Sequence, residues 1–285
     1  MEMRTINLDG MFVPVSKPEI EFETFKFPGG ELHIKLNNNI AYHNVEHVLI
    51  THRIKNMDDV MLIMLAQDAL KQKGVERFSL VIPYVPYARQ DRICNEGESF
   101  SLKVFANLIN SLNFYGVLIL DPHSDVTPAL INNSIMMNMD MFIMNTLLEI
   151  TTGKPIHIVS PDSGSNKKIH YLATKMNSAL FSGIISCDKE RDLKTGKLTG
   201  FKVFADDLLK QDCLIIDDIC DGGGTFVGLA EELKKKNAGD IFLYVSHGIF
   251  SKGFEDLQKN IKKIYTTNSV QDIPNFFVKQ FKIQL

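Results

Sequence analysis

The feature that most constrains this chain is a repeated alternation. Five short, nearly continuous apolar runs, VEHVLITH (45–52), RFSLVIPY (77–84), YGVLILD (115–121), PIHIVSPD (155–162) and DCLIIDD (212–218), each end in polar or turn residues. Strands of that composition are covered on both faces. Between them lie stretches with helical spacing. MDDVMLIMLAQDALKQKG (57–74) opens with an Asp pair and ends in glycine, and SFSLKVFANLINSLN (99–113) and FVGLAEELKKKNAG (226–239) follow similar patterns. A β-α-β-α rhythm predicts α/β architecture, with mainly parallel sheets flanked by helices. The rhythm runs twice. A break around LLEITTGKP divides the 285 residues almost evenly, into domains 1–147 and 148–285.

Charge and composition narrow the partners. Lys and Arg number 31 against 34 Asp and Glu, so no global basic field points to nucleic acid, and any anion site must be local. The opening MEMRTINLDG has no apolar signal core, and no apolar run approaches the length of a membrane span. The four cysteines, Cys94, Cys187, Cys213 and Cys220, form no C-x-x-C pair. A reduced, cytoplasmic protein is the expectation.

The stretch with most chemistry is LIIDDICDGGGTF (214–226). It reads as a buried strand ending at Ile216, then acids, a glycine turn, and Thr225 capping a helix. Glycines let successive N–H groups turn toward one anion, and a helix N-terminus adds positive dipole. The acids Asp217, Asp218 and Asp221 repel that anion, but suit ribose hydroxyls or a shielding Mg²⁺. A sugar phosphate held at both ends accounts for acids and glycines together. The same residues also read as a glycine-rich connection carrying solvated acids. No Lys follows the glycines, so this is not a Walker A loop, nor is it G-x-G-x-x-G.

The stretch resembles the ribose-phosphate binding loop of type I phosphoribosyltransferases: two acids, two apolar residues, then Asp-Thr-Ala-Gly-Thr. Asp217, Asp218, Ile219, Cys220, Asp221, Gly224 and Thr225 match, while Gly222 and Gly223 depart. The loop alone fits both a transferase consuming phosphoribosyl pyrophosphate and the synthetase making it. IPYVPYARQDR (82–92) followed by GESFSLKVFANLI (97–109) separates them, because this pair resembles the ribose-phosphate pyrophosphokinase family. FPGGELHIKL (27–36), DPHSD (121–125), VSPDSG (159–164), DKER (188–191), SHGIFSKG (246–253) and TTNS (266–269) are similar to other segments of that family.

The resemblance implies two tandem type I phosphoribosyltransferase-like domains. It implies transfer of the β,γ-diphosphoryl group of ATP to the C1 hydroxyl of ribose 5-phosphate, with Mg²⁺. It assigns His123 and Asp162 to the metal, and Lys189, Arg191 and His123 to catalysis, the first two from a mobile loop. It assigns Phe27, Glu31, Arg89 and Gln90 to ATP, and Asp217, Asp218, Asp221, Gly222, Gly223, Gly224 and Thr225 to the ribose phosphate. Phe27 and Glu31 serve a neighbouring subunit in the family, which implies a homo-oligomer with a shared active site. From the residues alone, DKERDLKTGKLTG reads equally as a solvated hairpin, and Asp91 and Arg92 as a structural pair. Two departures matter. Gly29 stands where the family has Asp. Gly222 and Gly223 remove a hydroxyl and a methyl from the phosphate turn, which leaves room for a 5′-extended acceptor such as ADP-ribose.

Overall fold

The computed structural model describes residues 2–15, 20–137, 139–151, 153–176, 179–191 and 198–285. Two compact units emerge. Met1–Asn138 with Ser269–Gln271 and Lys282–Leu285 form the first, and Met139–Asn268 with Asp272–Phe281 the second.

The first unit contains β1 (Glu2–Asn7), β2 (Phe22–Lys26), β3 (Leu32–Leu36), β4 (Val45–Thr51), α1 (Met57–Gln72), β5 (Arg77–Val81), α2 (Ser101–Ser111), β6 (Gly116–Leu120), α3 (Val126–Leu130) and β7 (Ser134–Met137). Its sheet runs β1-β4-β5-β6-β7, every pair parallel. The three apolar runs predicted here are β4, β5 and β6, with Val48, Ile50, Leu80 and Ile119 fully buried. Helix α1 starts as its sequence demands. Asn56 accepts from the amides of Asp58 and Asp59, and Asp59 reaches back to the Asn56 amide, closing a capping box. Strands β2 and β3 form a separate antiparallel hairpin, with Gly30 at φ +94° in its turn.

The second unit contains α4 (Asp140–Ile150), β8 (Ile156–Ser160), α5 (Ser163–Lys175), β9 (Phe181–Arg191), β10 (Leu198–Val203), β11 (Cys213–Cys220), α6 (Gly224–Lys235), β12 (Ile241–Gly248), β13 (Lys263–Thr267) and β14 (Val278–Phe281). Helix α4 spans the expected 147/148 boundary and belongs to this unit, so the chain divides between residues 138 and 139. The methionine-rich stretch 134–144 supplies β7 and the start of α4.

The second sheet runs β10-β9-β8-β11-β12-β13-β14. Only β9 and β10 pair antiparallel; the other contacts are parallel. Strand β12 lay outside the five predicted runs, yet all eight of its residues are buried. From β8 the chain moves to one side, to β9 and β10; from β11 it moves to the other, to β12, β13 and β14. Strand order therefore reverses between β8 and β11. In open α/β sheets the crevice beyond the strand C-termini at such a reversal is where ligands bind.

Candidate functional site

Both strands bordering that reversal end in acids. Strand β8 runs into Asp162, the N-cap of α5, whose Oδ1 accepts from the Ser165 amide at 3.0 Å. Strand β11 carries Asp217 and Asp218, and does not end at Ile216 as the sequence reading had it. Pairing of Asp217, Ile219 and Cys220 with Val245, His247 and Gly248 of β12 extends it to Cys220. The backbone that presents the two acids is thus fixed by a neighbouring strand.

Lys189 lies on β9, opposite Phe201 of β10, and its Nζ donates to Asp162 Oδ2 at 2.5 Å. It is a strand residue in a hairpin, not a loop residue, because β9 keeps its antiparallel partner through this point. Burial raises the Asp162 carboxyl, but the hydrogen bond and charge of Lys189, with the Ser165 contacts, outweigh it and hold the group below its ordinary range. Asp217 goes the other way. Its burial, then the charges of Asp218 and Asp162, push its carboxyl well above the ordinary range. Three carboxylates and one ammonium therefore share a field at the crevice. Arg191 ends β9, and its side chain lies outside the described residues.

Beyond β11 the chain turns through Asp221 and the three glycines. Gly223 has φ +75° and is the N-cap of α6, without a side-chain cap. Thr225 is therefore not the cap but the second residue of the helix; the left-handed turn that only glycine adopts cheaply sets the start instead. Among the described residues, the amides of Gly222, Gly224 and Thr225 have no hydrogen-bond partner. Such groups, at the positive end of a helix dipole, suit a phosphate. Burial, then Asp217 and Asp221, push the Cys220 thiol up to about 12. All four cysteines are free thiols.

Neither departing glycine faces open space. A Cβ at Gly223 would lie 3.2 Å from Leu257, and one at Gly222 would lie 3.4 Å from Cδ of Lys252. The space left by a missing threonine side chain is lined by the Lys252 stem.

In the first unit, the PYARQDR segment leaves the end of β5 beside β6: the Ile82 amide donates to Leu118 O and the Leu120 amide to Pro83 O, both at 3.0 Å. Ala88 is buried, whereas Arg89 and Gln90 are exposed. The Gln90 carbonyl accepts from Leu102 of α2 at 3.3 Å. Asp91 and Arg92 do pair, at 3.3 Å. His123 follows β6 and is exposed, after Asp121 turns at φ +40°. His123 thus belongs to the first unit and Asp162 to the second. Within the second unit Asp162, Lys189, Asp217 and Asp218 meet at the strand reversal, and Asp221 to Thr225 follow in the adjoining turn.

On the β2–β3 hairpin, Phe27 is 47% exposed and packs with Phe25 at 5.1 Å and His33 at 5.9 Å between ring centroids. By residue type alone His33 reads as an ordinary surface or core histidine and Phe25 carries no signal, although alternation across a two-stranded hairpin places both on the Phe27 face. At Gly29 a Cβ would lie 3.1 Å from Oε2 of Glu31, so the Glu31 carboxylate folds back over the position where the family has Asp.

Among the described residues, no group of three or more His, Cys, Asp or Glu side chains is arranged to hold a metal ion. Mg²⁺ does not need one. It takes one or two carboxylates, keeps waters and draws its remaining ligands from phosphates, so the Asp162, Asp217 and Asp218 acids fit it. No helix among the described residues is long and apolar enough to cross a membrane.

Residues 14–112 match the N-terminal domain of ribose phosphate pyrophosphokinase, and residues 130–284 match the phosphoribosyl transferase domain. A ribose-phosphate pyrophosphokinase of Granulibacter bethesdensis is 31% identical over 243 residues, covering 85% of this chain and 74% of that one. One from Maricaulis maris is 29% identical over 274 residues, covering 94% and 84%. The fold is similar to that of phosphoribosylpyrophosphate synthetase from Mycobacterium smegmatis, with a TM-score of 0.81 at 19% identity over 99% of this chain and 94% of that one.

Proposed function

The chain belongs to the ribose-phosphate pyrophosphokinase family, and we propose that it transfers the β,γ-diphosphoryl group of ATP to the C1 hydroxyl of ribose 5-phosphate, releasing AMP. The observation that carries this reading is the pairing, at one strand reversal, of crowded acids with unpartnered amides at the start of α6. Acids alone suit a cation, and amides alone suit an anion. A ribose phosphate has hydroxyls for the first and phosphate for the second.

In this reading Asp217 and Asp218 accept from the ribose hydroxyls, which relieves the cost of holding charge next to charge. The amides of Gly222, Gly224 and Thr225 take the 5′-phosphate, with Asp221 and Gly223 shaping the turn. The C1 hydroxyl attacks the β-phosphorus, its proton passes to solvent, and the bond from the β-phosphorus to the AMP oxygen breaks. Lys189 supplies positive charge where phosphoryl oxygens gain negative charge, and Asp162 holds that ammonium in place. Arg191 shares this role. Mg²⁺, held through Asp162 directly or by water, would neutralise phosphate charge, and His123 keeps the metal and catalytic assignment that the resemblance gives it. Arg89 and Gln90 contact ATP, and Phe27 and Glu31 of a neighbouring subunit complete the adenosine site in a cytoplasmic homo-oligomer. The exposed aromatic face of the hairpin supports that last assignment.

Nothing favours a 5′-extended acceptor, because neither departing glycine opens space. The test is AMP release with ATP, Mg²⁺ and either ribose 5-phosphate or ADP-ribose. Release that depends on ribose 5-phosphate is expected. Its absence with every ribose phosphate would overturn the proposal.

A further inference from the structure

We propose that Lys252 is a specificity-determining residue for the acceptor, supplying from the segment after β12 the phosphate contact that Gly222 lacks. This rests on the reading of the β11–α6 turn as the ribose-phosphate loop. A Cβ at Gly222 would meet three consecutive carbons of the Lys252 stem, Cγ at 3.7 Å, Cδ at 3.4 Å and Cε at 3.5 Å. The stem therefore lies along the turn itself. Its ammonium is one C–N bond, about 1.5 Å, beyond Cε, which brings it within reach of an anion on the Gly222, Gly224 and Thr225 amides.

The backbone holds Lys252 there. Ile249 and Phe250 donate to Cys220 O at 2.9 and 3.1 Å, and Ser251 donates through its amide to Asp221 O at 3.1 Å and through Oγ to Asp221 Oδ1 at 2.7 Å. Gly253, at φ +71°, closes the turn on Phe250 O. Four hydrogen bonds thus fasten residues 249–251 to the phosphate loop and leave the next side chain lying on it. Lys252 is exposed, and among the described residues its ammonium makes no ion pair or hydrogen bond. The acids nearby are engaged elsewhere: Asp256 with Lys259 at 2.7 Å, and Asp221 with Ser251. Lys252 does help hold the Asp256 carboxyl low, after the larger effect of Lys259.

A threonine at position 222 would offer a hydroxyl, indifferent to whether the phosphate carries one charge or two. An ammonium in the same place adds direct charge attraction, and so favours a free phosphate monoester over a singly charged diester. Lys252 and Gly222 are then one device. A bare Cβ at position 222 would sit in ordinary van der Waals contact with the lysine stem, so it is the hydroxyl and methyl of a threonine that the stem replaces.

The test uses full-length Lys252→Met, which keeps the packed stem and removes the charge, with Lys252→Arg as the conservative partner. Ribose 5-phosphate affinity is read by calorimetry and its KM by AMP release, with ribose 5-(methyl phosphate) as the singly charged probe. Lys252→Met is expected to weaken ribose 5-phosphate about tenfold or more, to weaken the methyl ester less, and to leave the KM for ATP unchanged. Lys252→Arg should restore most of the loss. Gly223→Ala, which strains the turn, tells the two readings apart, with folding checked by circular dichroism. If folded Gly223→Ala weakens ribose 5-phosphate and Lys252→Met does not, the loop assignment stands and the lysine has no such role. If folded Gly223→Ala binds ribose 5-phosphate as wild type does, the loop assignment itself is overturned, and Lys252 with it. Should Gly223→Ala not fold, an unchanged ribose 5-phosphate affinity in Lys252→Met still rejects the role.

Discussion

The two units each offer ligand-facing residues at the C-terminal ends of parallel strands, yet they hold them differently. In the second unit the acids are crowded, half-buried and fixed. Asp162 caps a helix and pairs with Lys189, while Asp217 sits in a strand paired through Cys220. In the first unit Arg89, Gln90, His123 and Phe27 are exposed, on turns or on a hairpin outside the main sheet. The first sheet runs in one direction from β1 to β7, whereas the second reverses between β8 and β11. A reversal opens a crevice in which opposed helices leave charges facing one another, and buried charges must be paired or titrate. Strong electrostatics therefore gather in the second unit, and exposed stacking and cationic groups in the first.

The largest effect expected from breaking that contrast is at Lys189. Lys189→Ala should lower kcat by about 10²–10³-fold, the usual loss of a charge-stabilising group, with ATP affinity by calorimetry nearly unchanged. Wild-type turnover would remove it from the chemistry. A smaller effect is expected at Asp217. The folded protein holds this proton to higher pH than the unfolded chain, whose value is near 3.8. Its folded state is thus favoured at low pH and loses that advantage as pH rises through the raised value. Asp217→Asn cannot ionise, so its melting temperature should exceed that of wild type by a margin that grows as pH rises above about 4, at about 2–4 °C per kcal/mol. It should also weaken ribose 5-phosphate more than ATP. A melting difference that does not change with pH would mean that the Asp217 carboxyl titrates normally.

The parts of this picture legible in sequence are those encoded locally. Five apolar runs gave five strands, and the Asp58–Asp59 pair marked the first turn of α1. The loop 214–226 showed its acids and glycines in order, because their spacing is the site. What stayed hidden depends on distant partners. Asp162 and Lys189 are 27 residues apart and meet only because β8 and β9 are neighbours. The end of β11 was misjudged because β12, which no alternation announced, prolongs it. Thr225 looked like a cap by residue type, but the φ of Gly223 decided the matter. The spacious reading of Gly222 finds no support for the same reason, since Lys252, which lies along the turn, is 30 residues away. In the first unit the assignment of Arg89 and Gln90 to ATP rests on resemblance alone, as exposed side chains have few local determinants.

Lys252→Met falls between these effects and the smallest one, at the hairpin. Phe25, Phe27 and His33 form an exposed aromatic face that packs mainly on itself, with ring centroids 5.1–5.9 Å apart. An adenine stacked there gains the increment of one aromatic pair, about 0.5–1.5 kcal/mol. Phe27→Ala should therefore raise the KM for ATP by only about 2- to 12-fold, with kcat and the KM for ribose 5-phosphate unchanged. Because the side chain is half exposed, the melting temperature should hardly move. If the hairpin serves a neighbouring subunit, mixing Phe27→Ala with Lys189→Ala should regenerate some sites intact in both elements, and activity should exceed the sum of the separate proteins. A strictly additive mixture at concentrations where the subunits associate and exchange would confine Phe27 to its own chain. A KM for ATP equal to wild type would remove it from the nucleotide site, and the division between a charged second unit and a stacking first unit would then rest on Arg89 and Gln90 alone.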